Sequence, residues 1–198
     1  MVSLATAGNI DAIAALNVEA YREFADRMSP DNWQKMEASI RSIEARTRST
    51  QFLVMRDQGA IVGSVGYCPA GKGNPEIFPQ DWAAVLVLAV APTHRGRGIA
   101  RALVSACIAC ARDDSAHVIG LFTSELMTDA QHLYESLGFH RECERSPRLG
   151  LRYWRYKLDL YAPHQPVRKE TGASPIRGAP LLPPSSPSHY LTRQGRAA

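Results

Sequence analysis

The sequence lacks any long hydrophobic run. Its longest apolar stretch extends only from Ala83 to Ala91, whereas about 20 consecutive apolar residues are needed to span a bilayer. The first residues, Met1 to Ala5, also show no basic segment followed by an apolar one, the pattern of a secretory signal. We therefore expect a cytoplasmic protein without membrane partners.

Cysteine is scarce as well, and its spacing excludes the common metal patterns. The chain has four cysteines, namely Cys68, Cys107, Cys110 and Cys143. Cys107-x-x-Cys110 falls within a predicted helix, and no second pair stands at zinc-ligand spacing. We expect these residues to be buried small hydrophobic side chains. No metal site is predicted.

An excess of charge is missing from most of the chain. The net charge is +4, but residues 162–198 hold five basic residues against the single acid Glu170, so the whole excess lies there. Residues 1–161 hold 18 residues of each sign. The basic isoelectric point is therefore poor evidence for nucleic-acid binding, and no nucleic-acid partner is expected.

The proline distribution separates the same two parts of the chain. Seven of the 13 prolines follow Tyr161, in a segment without hydrophobic periodicity. This composition predicts a single domain over residues 1–161 and a disordered, basic, Pro-rich tail over residues 162–198. Docking of the tail on an acidic partner, a Pro-binding groove or a nucleic acid is left as an open alternative.

Residues 1–161 alternate between strand and helix patterns. Ser29-Pro30 is an N-cap followed by proline at the first helical position, and it predicts a helix through about Arg46. Asp57-Gln58-Gly59 predicts a hairpin turn, and the apolar stretch Trp82–Ala91 predicts a buried central strand. The predicted order is β-α-α-β-β-β-α-β-α-β-β, which indicates an α/β domain with a mixed sheet and helices on both faces.

The segment that follows this strand has the composition of an anion-binding loop. Gly96 and Gly98 lead directly into a predicted helix, whose free N–H groups and dipole would attract a phosphate or pyrophosphate. Arg95, Arg97 and Arg101 add positive charge. The loop lacks the third glycine of a dinucleotide-binding fingerprint and the Gly-Lys-Ser/Thr ending of a P-loop, so both nucleotide motifs are excluded.

Two motifs together resemble those of the GNAT superfamily of N-acetyltransferases. Arg95-x-x-Gly98-x-Ala100 is similar to its acyl-CoA loop, and Ala130-x-x-Leu133-Tyr134-x-x-x-Gly138-Phe139 to a second block downstream. The resemblance covers roughly residues 2–160. It implies a GNAT-like fold, with a mostly antiparallel mixed sheet and splayed middle strands. It also implies acetyl-CoA as acyl donor, and direct attack by a primary amine of a small molecule or a protein in a ternary complex.

The resemblance assigns roles to particular residues. The pyrophosphate is expected on the main chain of Arg95, Gly96, Arg97, Gly98, Ile99 and Ala100. Val90 is expected to pair with pantetheine, and the N–H of Leu88 to face the thioester oxygen. Tyr134 is expected to protonate the departing thiolate. A homodimer is left as an open alternative.

Two positions depart from the family pattern. Ala84 stands where many members have a glutamate base, and Met127 where asparagine often binds the cofactor. Glu76, Asp81 and Glu125 are substitute bases by proximity only, and bulk water is the alternative. These departures motivate a second hypothesis, a non-catalytic acyl-CoA-binding or regulatory module of the same fold.

The acceptor site is expected between the first two helices, the 69–80 loop and the last strand pair. The aromatic residues available there are Tyr21, Phe24, Trp33, Phe78, Trp82, Tyr153 and Trp154. Most of them are expected in the core. The sequence shows no acidic cluster for a polyamine and no basic groove for RNA, so it does not identify the acceptor.

Overall fold

A computed structural model of the protein describes residues 1–161, and the tail predicted over residues 162–198 lies outside the described residues. The described part forms an α/β domain. Its elements are β1 (Val2–Leu4), α1 (Ile10–Tyr21), α2 (Pro30–Arg41), β2 (Gln51–Asp57), β3 (Ala60–Cys68), β4 (Trp82–Val90), α3 (Ile99–Asp113), β5 (Val118–Ser124), α4 (Thr128–Ser136), β6 (His140–Arg148) and β7 (Leu151–Asp159).

The strands form one mixed sheet in the order β1-β2-β3-β4-β5-β7-β6. Neighbouring strands are antiparallel except β4 and β5, which are parallel. Pairing between β4 and β5 begins at Trp82 and Val118 and ends at Val85 and Leu121. The two strands diverge beyond that point, which leaves a gap in the middle of the sheet. The predicted fold, including its splayed middle strands, is confirmed.

A β-bulge in β4 accompanies the divergence. Ser64 pairs with Ala89 and Gly66 pairs with Leu86. An advance of two residues along β3 is therefore matched by three residues along β4, so β4 has one extra residue. Val87, inside this bulge, has φ +48°. A branched residue rarely adopts this conformation, and it costs about 1–3 kcal/mol. Because a bulge bends its strand and increases the local twist, β4 turns away from β5 where the gap opens.

Helices cover both faces of the sheet, and neighbouring residues of β3 show which helix lies where. A Cβ added at Gly63 would lie 2.6 Å from Ile99 Cγ2, so α3 packs closely on that face. The next residue, Ser64, points to the opposite face and donates a 3.0 Å hydrogen bond to Asn17 Oδ1 of α1. The main hydrophobic core includes Leu103 and Val104 of α3 and Leu16 of α1.

Helix α2 is shorter than the sequence predicted. Ser29 caps its start by accepting a hydrogen bond from the N–H of Asn32, but the helix ends at Arg41 rather than at about Arg46. A short 3-10 turn over Glu44–Arg46 follows. Ile43 between them is fully buried against β2 and α1, and burial of this side chain decides where the helix stops.

The cysteines and the hydrophobic runs are two further features for which the sequence made predictions. Cys68 and Cys107 are buried as expected, whereas Cys110 and Cys143 are only half-buried, and all four are free thiols. Among residues 1–161, no helix has both the length and the apolar character needed to cross a membrane.

Candidate active site

The loop between β4 and α3 presents a row of free N–H groups. Gly96 and Gly98 have φ values of +74° and +76°, which L side chains rarely adopt. Within the described residues, no carbonyl accepts a hydrogen bond from the N–H groups of residues 96–101, and the first bond of the helix runs from Ala102 N to Gly98 O. These free donors and the helix dipole form an anion-binding cradle.

The edge of β4 beyond the bulge presents further main-chain groups. Ala91 donates its N–H to Val62 O of β3 at 2.9 Å. Because N–H directions alternate along a strand, the N–H groups of Leu88 and Val90 point away from β3 and into the gap. Both residues are half-buried. The gap therefore offers an unpaired strand edge beside the anion-binding cradle.

Tyr134 is carried by the last turn of α4. Gly138, with φ +92°, ends this helix as a C-terminal glycine does, and Phe139 N returns a hydrogen bond to Tyr134 O at 3.0 Å. The Tyr134 ring is 7% exposed and packs edge-on against Phe139. Burial raises the pKa of its hydroxyl, and the neighbouring Tyr21 and Cys107 raise it further. The phenol is thus protonated at neutral pH.

A single cavity brings these parts together. It has a volume of about 530 Å³ and lies between α1, β4, the loop, α3 and α4. Eight of the nine site residues proposed from sequence line it: Leu88, Val90, Arg95, Gly96, Gly98, Ile99, Ala100 and Tyr134. Arg97 is absent from the lining. Its side chain is 61% exposed, with Nη1 4.0 Å from Asp57 Oδ2.

The Arg95 guanidinium is directed toward the end of α1. It donates to Glu23 Oε2 at 2.8 Å and to Ala20 O at 2.9 Å, so it anchors the loop to α1. Arg101 lines the cavity and donates to Ser136 Oγ at 2.7 Å, which links α3 to α4. These contacts hold the two walls of the cavity in position around the free N–H groups.

The two departures from the family pattern have different surroundings. Ala84 is fully buried in an apolar cluster with Cys68, Phe78 and Trp82, which is unfavourable for an ionised carboxylate. Met127 lines the cavity at the start of α4.

The substitute bases Glu76, Asp81 and Glu125 are not among the residues that line the cavity. Asp81 and Glu76 are exposed, and Glu125 Oε1 accepts a hydrogen bond from Arg152 N. The geometry thus brings none of the three to the cavity.

The cavity also includes residues beyond the nine proposed to bind the donor or to act in the reaction. Tyr21 and Phe24, expected near the acceptor site, do line it, together with Glu23 and Arg27. The last two follow α1 in a 3-10 segment over Arg22–Arg27. Glu23 accepts a hydrogen bond from Arg95 of the loop, and no local sequence pattern predicts a contact between residues so far apart in the chain.

Comparison with known proteins is consistent with this geometry. The acetyltransferase (GNAT) family matches residues 10–139. Human N-acetyltransferase 8B is 31% identical over 113 residues, which cover 57% of this chain and 47% of that protein. Mycothiol acetyltransferase of Thermobispora bispora is 32% identical over 131 residues, covering 66% of this chain and 43% of that protein. The chain thus spans less than half the length of these curated relatives.

Solved structures show the same fold at low sequence identity. PaiA N-acetyltransferase of Thermoplasma acidophilum, in complex with coenzyme A, superposes with a TM-score of 0.64 at 12% identity, covering 80% of this chain and 99% of that one. Ribosomal-protein-alanine N-acetyltransferase of Brucella melitensis gives 0.60 at 22% identity, with coverages of 80% and 99%. The family match, the fold and the cavity agree, and the chain belongs to the GNAT family of acetyltransferases.

Proposed function

We propose that the protein transfers an acetyl group from acetyl-CoA to a primary amine of a small molecule or a protein, by direct attack in a ternary complex. The observation that carries the proposal is one cavity in which free loop N–H groups, an open strand edge and a protonated phenol meet. Family membership supports the acyl donor, and the cavity supports the placement of the chemistry.

The cradle fits the anionic part of the donor. Six consecutive N–H groups, from residue 96 to residue 101, have no acceptor among the described residues, and the Gly96 and Gly98 positions have no atom within 4 Å of an added Cβ. The unpaired donors and the open space suit a pyrophosphate. Arg95 contributes by holding the loop against α1, since its guanidinium is already bonded to Glu23 and Ala20.

Two main-chain groups and one side chain serve the reacting end. When bound, acetyl-CoA supplies an activated thioester. The Val90 main chain holds the pantetheine arm along the open edge of β4, and the Leu88 N–H donates to the thioester oxygen, where negative charge develops. Tyr134 holds its proton at Oη and donates it to the departing sulfur. Because burial raises the pKa of this phenol, the proton is present at the pH of the reaction.

No carboxylate among Glu76, Asp81 and Glu125 lines the cavity, and Ala84 cannot accept a proton. We infer that water in the cavity takes the proton of the attacking amine. Two observations support a second function, a module that binds acyl-CoA without turnover. They are the apolar packing around Ala84, where no base stands, and the presence of Met127 in the cavity lining.

The test is release of free thiol from acetyl-CoA with a panel of primary amines, followed with a thiol reagent and by mass spectrometry of the product amine. Tyr134→Phe should lower kcat by about 10²–10⁴-fold while binding of acetyl-CoA, measured by titration calorimetry, is preserved. Tyr161→Phe removes the same atom from a ring that is 51% exposed and serves as the matched control. Tight acetyl-CoA binding without thiol release on any amine would favour the non-catalytic module.

A further inference from the structure

A second group of side chains converges on the other side of the gap, on the face that α1 and α2 cover. The alternation of side chains along β5 and the pairing of β5 with β7 show which residues share this face. A Cβ added at Gly120 would meet Trp82 and Phe78, so Phe122 and Ser124, two and four residues on, share that face. Tyr153 is opposite Ser124 in register and shares it too. We call Val87, Phe122, Ser124 and Tyr153 the acceptor face.

The acceptor face is incompletely covered. Val87 and Phe122 are only half-buried, although β4 and β5 are central strands. Val87 packs with Trp33 and Leu149 around a small apolar cluster. The turn between β6 and β7 reaches α2, since a Cβ added at Gly150 would lie 3.0 Å from Asn32 Nδ2. The acceptor face is therefore bordered by α2 and by this turn, and part of Val87 and Phe122 stays exposed between them.

Arg148 lies against the acceptor face, and Arg46 interacts electrostatically with Arg148. The Arg148 guanidinium carbon is 5.9 Å from the Phe122 ring centre, and Phe122 stacks on Tyr153 at 4.7 Å. Arg46 Nη2 donates to Ser39 O and Ser39 Oγ, but its Nε is buried without any hydrogen-bond partner among the described residues. Neither arginine forms an ion pair within residues 1–161.

The charges of the cluster act on one another. Burial lowers the pKa of Arg46, Tyr21 acts to raise it, and Arg148 acts to lower it. Burial also raises the pKa of Tyr21, with Tyr153 adding to the rise and Arg46 opposing it. Tyr21 in turn lines the cavity that contains Tyr134. Tyr21 therefore links the cluster to the proposed reaction centre. The members of the cluster supply positive charge or hydroxyl donors: Arg46, Arg148, Tyr21 and Tyr153.

We propose that the acceptor is an amino acid with an apolar side chain, whose carboxylate is bound by Arg148 and Arg46 while its side chain packs on Phe122 and Trp33. An unpaired buried guanidinium donor is costly, and a carboxylate is the group that matches its planar array of donors. The Tyr21 and Tyr153 hydroxyls supply further donors at the same place. This inference rests on the proposed acetyl transfer and adds the substrate class to it.

The test compares L-phenylalanine with L-phenylalaninamide, which lacks the carboxylate. The quantity measured is the ratio of their kcat/KM values in the wild-type chain and in Arg148→Gln. Because the wild-type chain and the variant are assayed with the same two amines, the difference in pKa between these amines cancels when the two ratios are compared. The ratio should fall about 10- to 100-fold in Arg148→Gln, the range expected when a charged hydrogen-bond partner is lost. Arg112→Gln, at an exposed position of α3, should leave the ratio unchanged.

If neither Arg148→Gln nor Arg46→Gln changes the ratio, the inference is overturned. Acetylation of either amine still supports the proposed function in that case. If neither amine releases thiol, calorimetric titration of the CoA-saturated full chain with the same two compounds decides. Binding of L-phenylalanine that exceeds binding of the amide and is lost in Arg148→Gln supports the site, and equal or absent binding refutes it. Arg148 is exposed, so its replacement should not unfold the protein, and a melting curve verifies this.

Discussion

Replacement of Gly63 by alanine should disturb the fold and the cofactor cradle together. The added Cβ would lie 2.6 Å from Ile99 Cγ2 and 3.0 Å from Leu103 Cδ1. Both neighbours are buried, so their side chains must rotate within the core or α3 must shift away from β3. Such overpacking costs about 1–3 kcal/mol, and the lower backbone entropy of alanine offsets up to about 1 kcal/mol. For a domain of this size, a net loss near 1–2 kcal/mol lowers Tm by about 2–8 °C.

The same shift should weaken acetyl-CoA binding, because Ile99 begins α3 and its N–H belongs to the cradle. Thermal unfolding and calorimetric titration measure the two effects. Gly8→Ala is the control, since an added Cβ there has one neighbour, at 4.0 Å. In an Ile99→Ala background the contacting methyl is gone, so the cost of Gly63→Ala should fall by at least half. An equal cost in both backgrounds would refute the close approach of α3.

Two further predictions concern the loop and an ion pair. Gly98→Ala should weaken acetyl-CoA binding about tenfold in titration, because alanine at φ +76° costs about 1–2 kcal/mol; unchanged affinity would contradict the role of this conformation. The hydrogen bond from Arg155 lowers the pKa of Glu142 to about 2. The charged carboxylate therefore stabilises the fold fully at pH values above 4.5, the ordinary pKa of the group, and this stabilisation is lost as the pH falls toward 2. Glu142→Gln should therefore cost about 1 kcal/mol at pH 7, and the difference in urea unfolding should shrink below pH 4; a pH-independent difference would argue against the pair.

The sequence predicted those features that follow from local pattern. A glycine pair after an apolar strand and before a helix identified the cradle, and Asp57-Gln58-Gly59 marked the hairpin turn between β2 and β3. The order of strands and helices was sufficient for the fold class. These features depend on residues close together in the chain, where periodicity and turn chemistry determine the conformation.

Features that depend on distant contacts were not predictable. The direction of Arg95 toward Glu23 depends on where the segment after α1 lies, and the end of α2 depends on the burial of Ile43. The position of Arg148 near Phe122 depends on the register of β5 with β7 and on a turn that reaches α2. Such contacts are set by packing between elements far apart in sequence, which a single chain's pattern does not encode locally.

The bulge at Val87 also changes which side of the sheet each residue of β4 faces. Leu86 pairs with Gly66 and Ala89 pairs with Ser64, so even-numbered residues before the bulge share a face with odd-numbered residues after it. Ala84 therefore faces the same side of the sheet as Ala89, although the two positions are an odd number of residues apart, because one extra residue lies between them. A single residue of chain length thus decides which residues of β4 face α1 and which face α3 on either side of Val87.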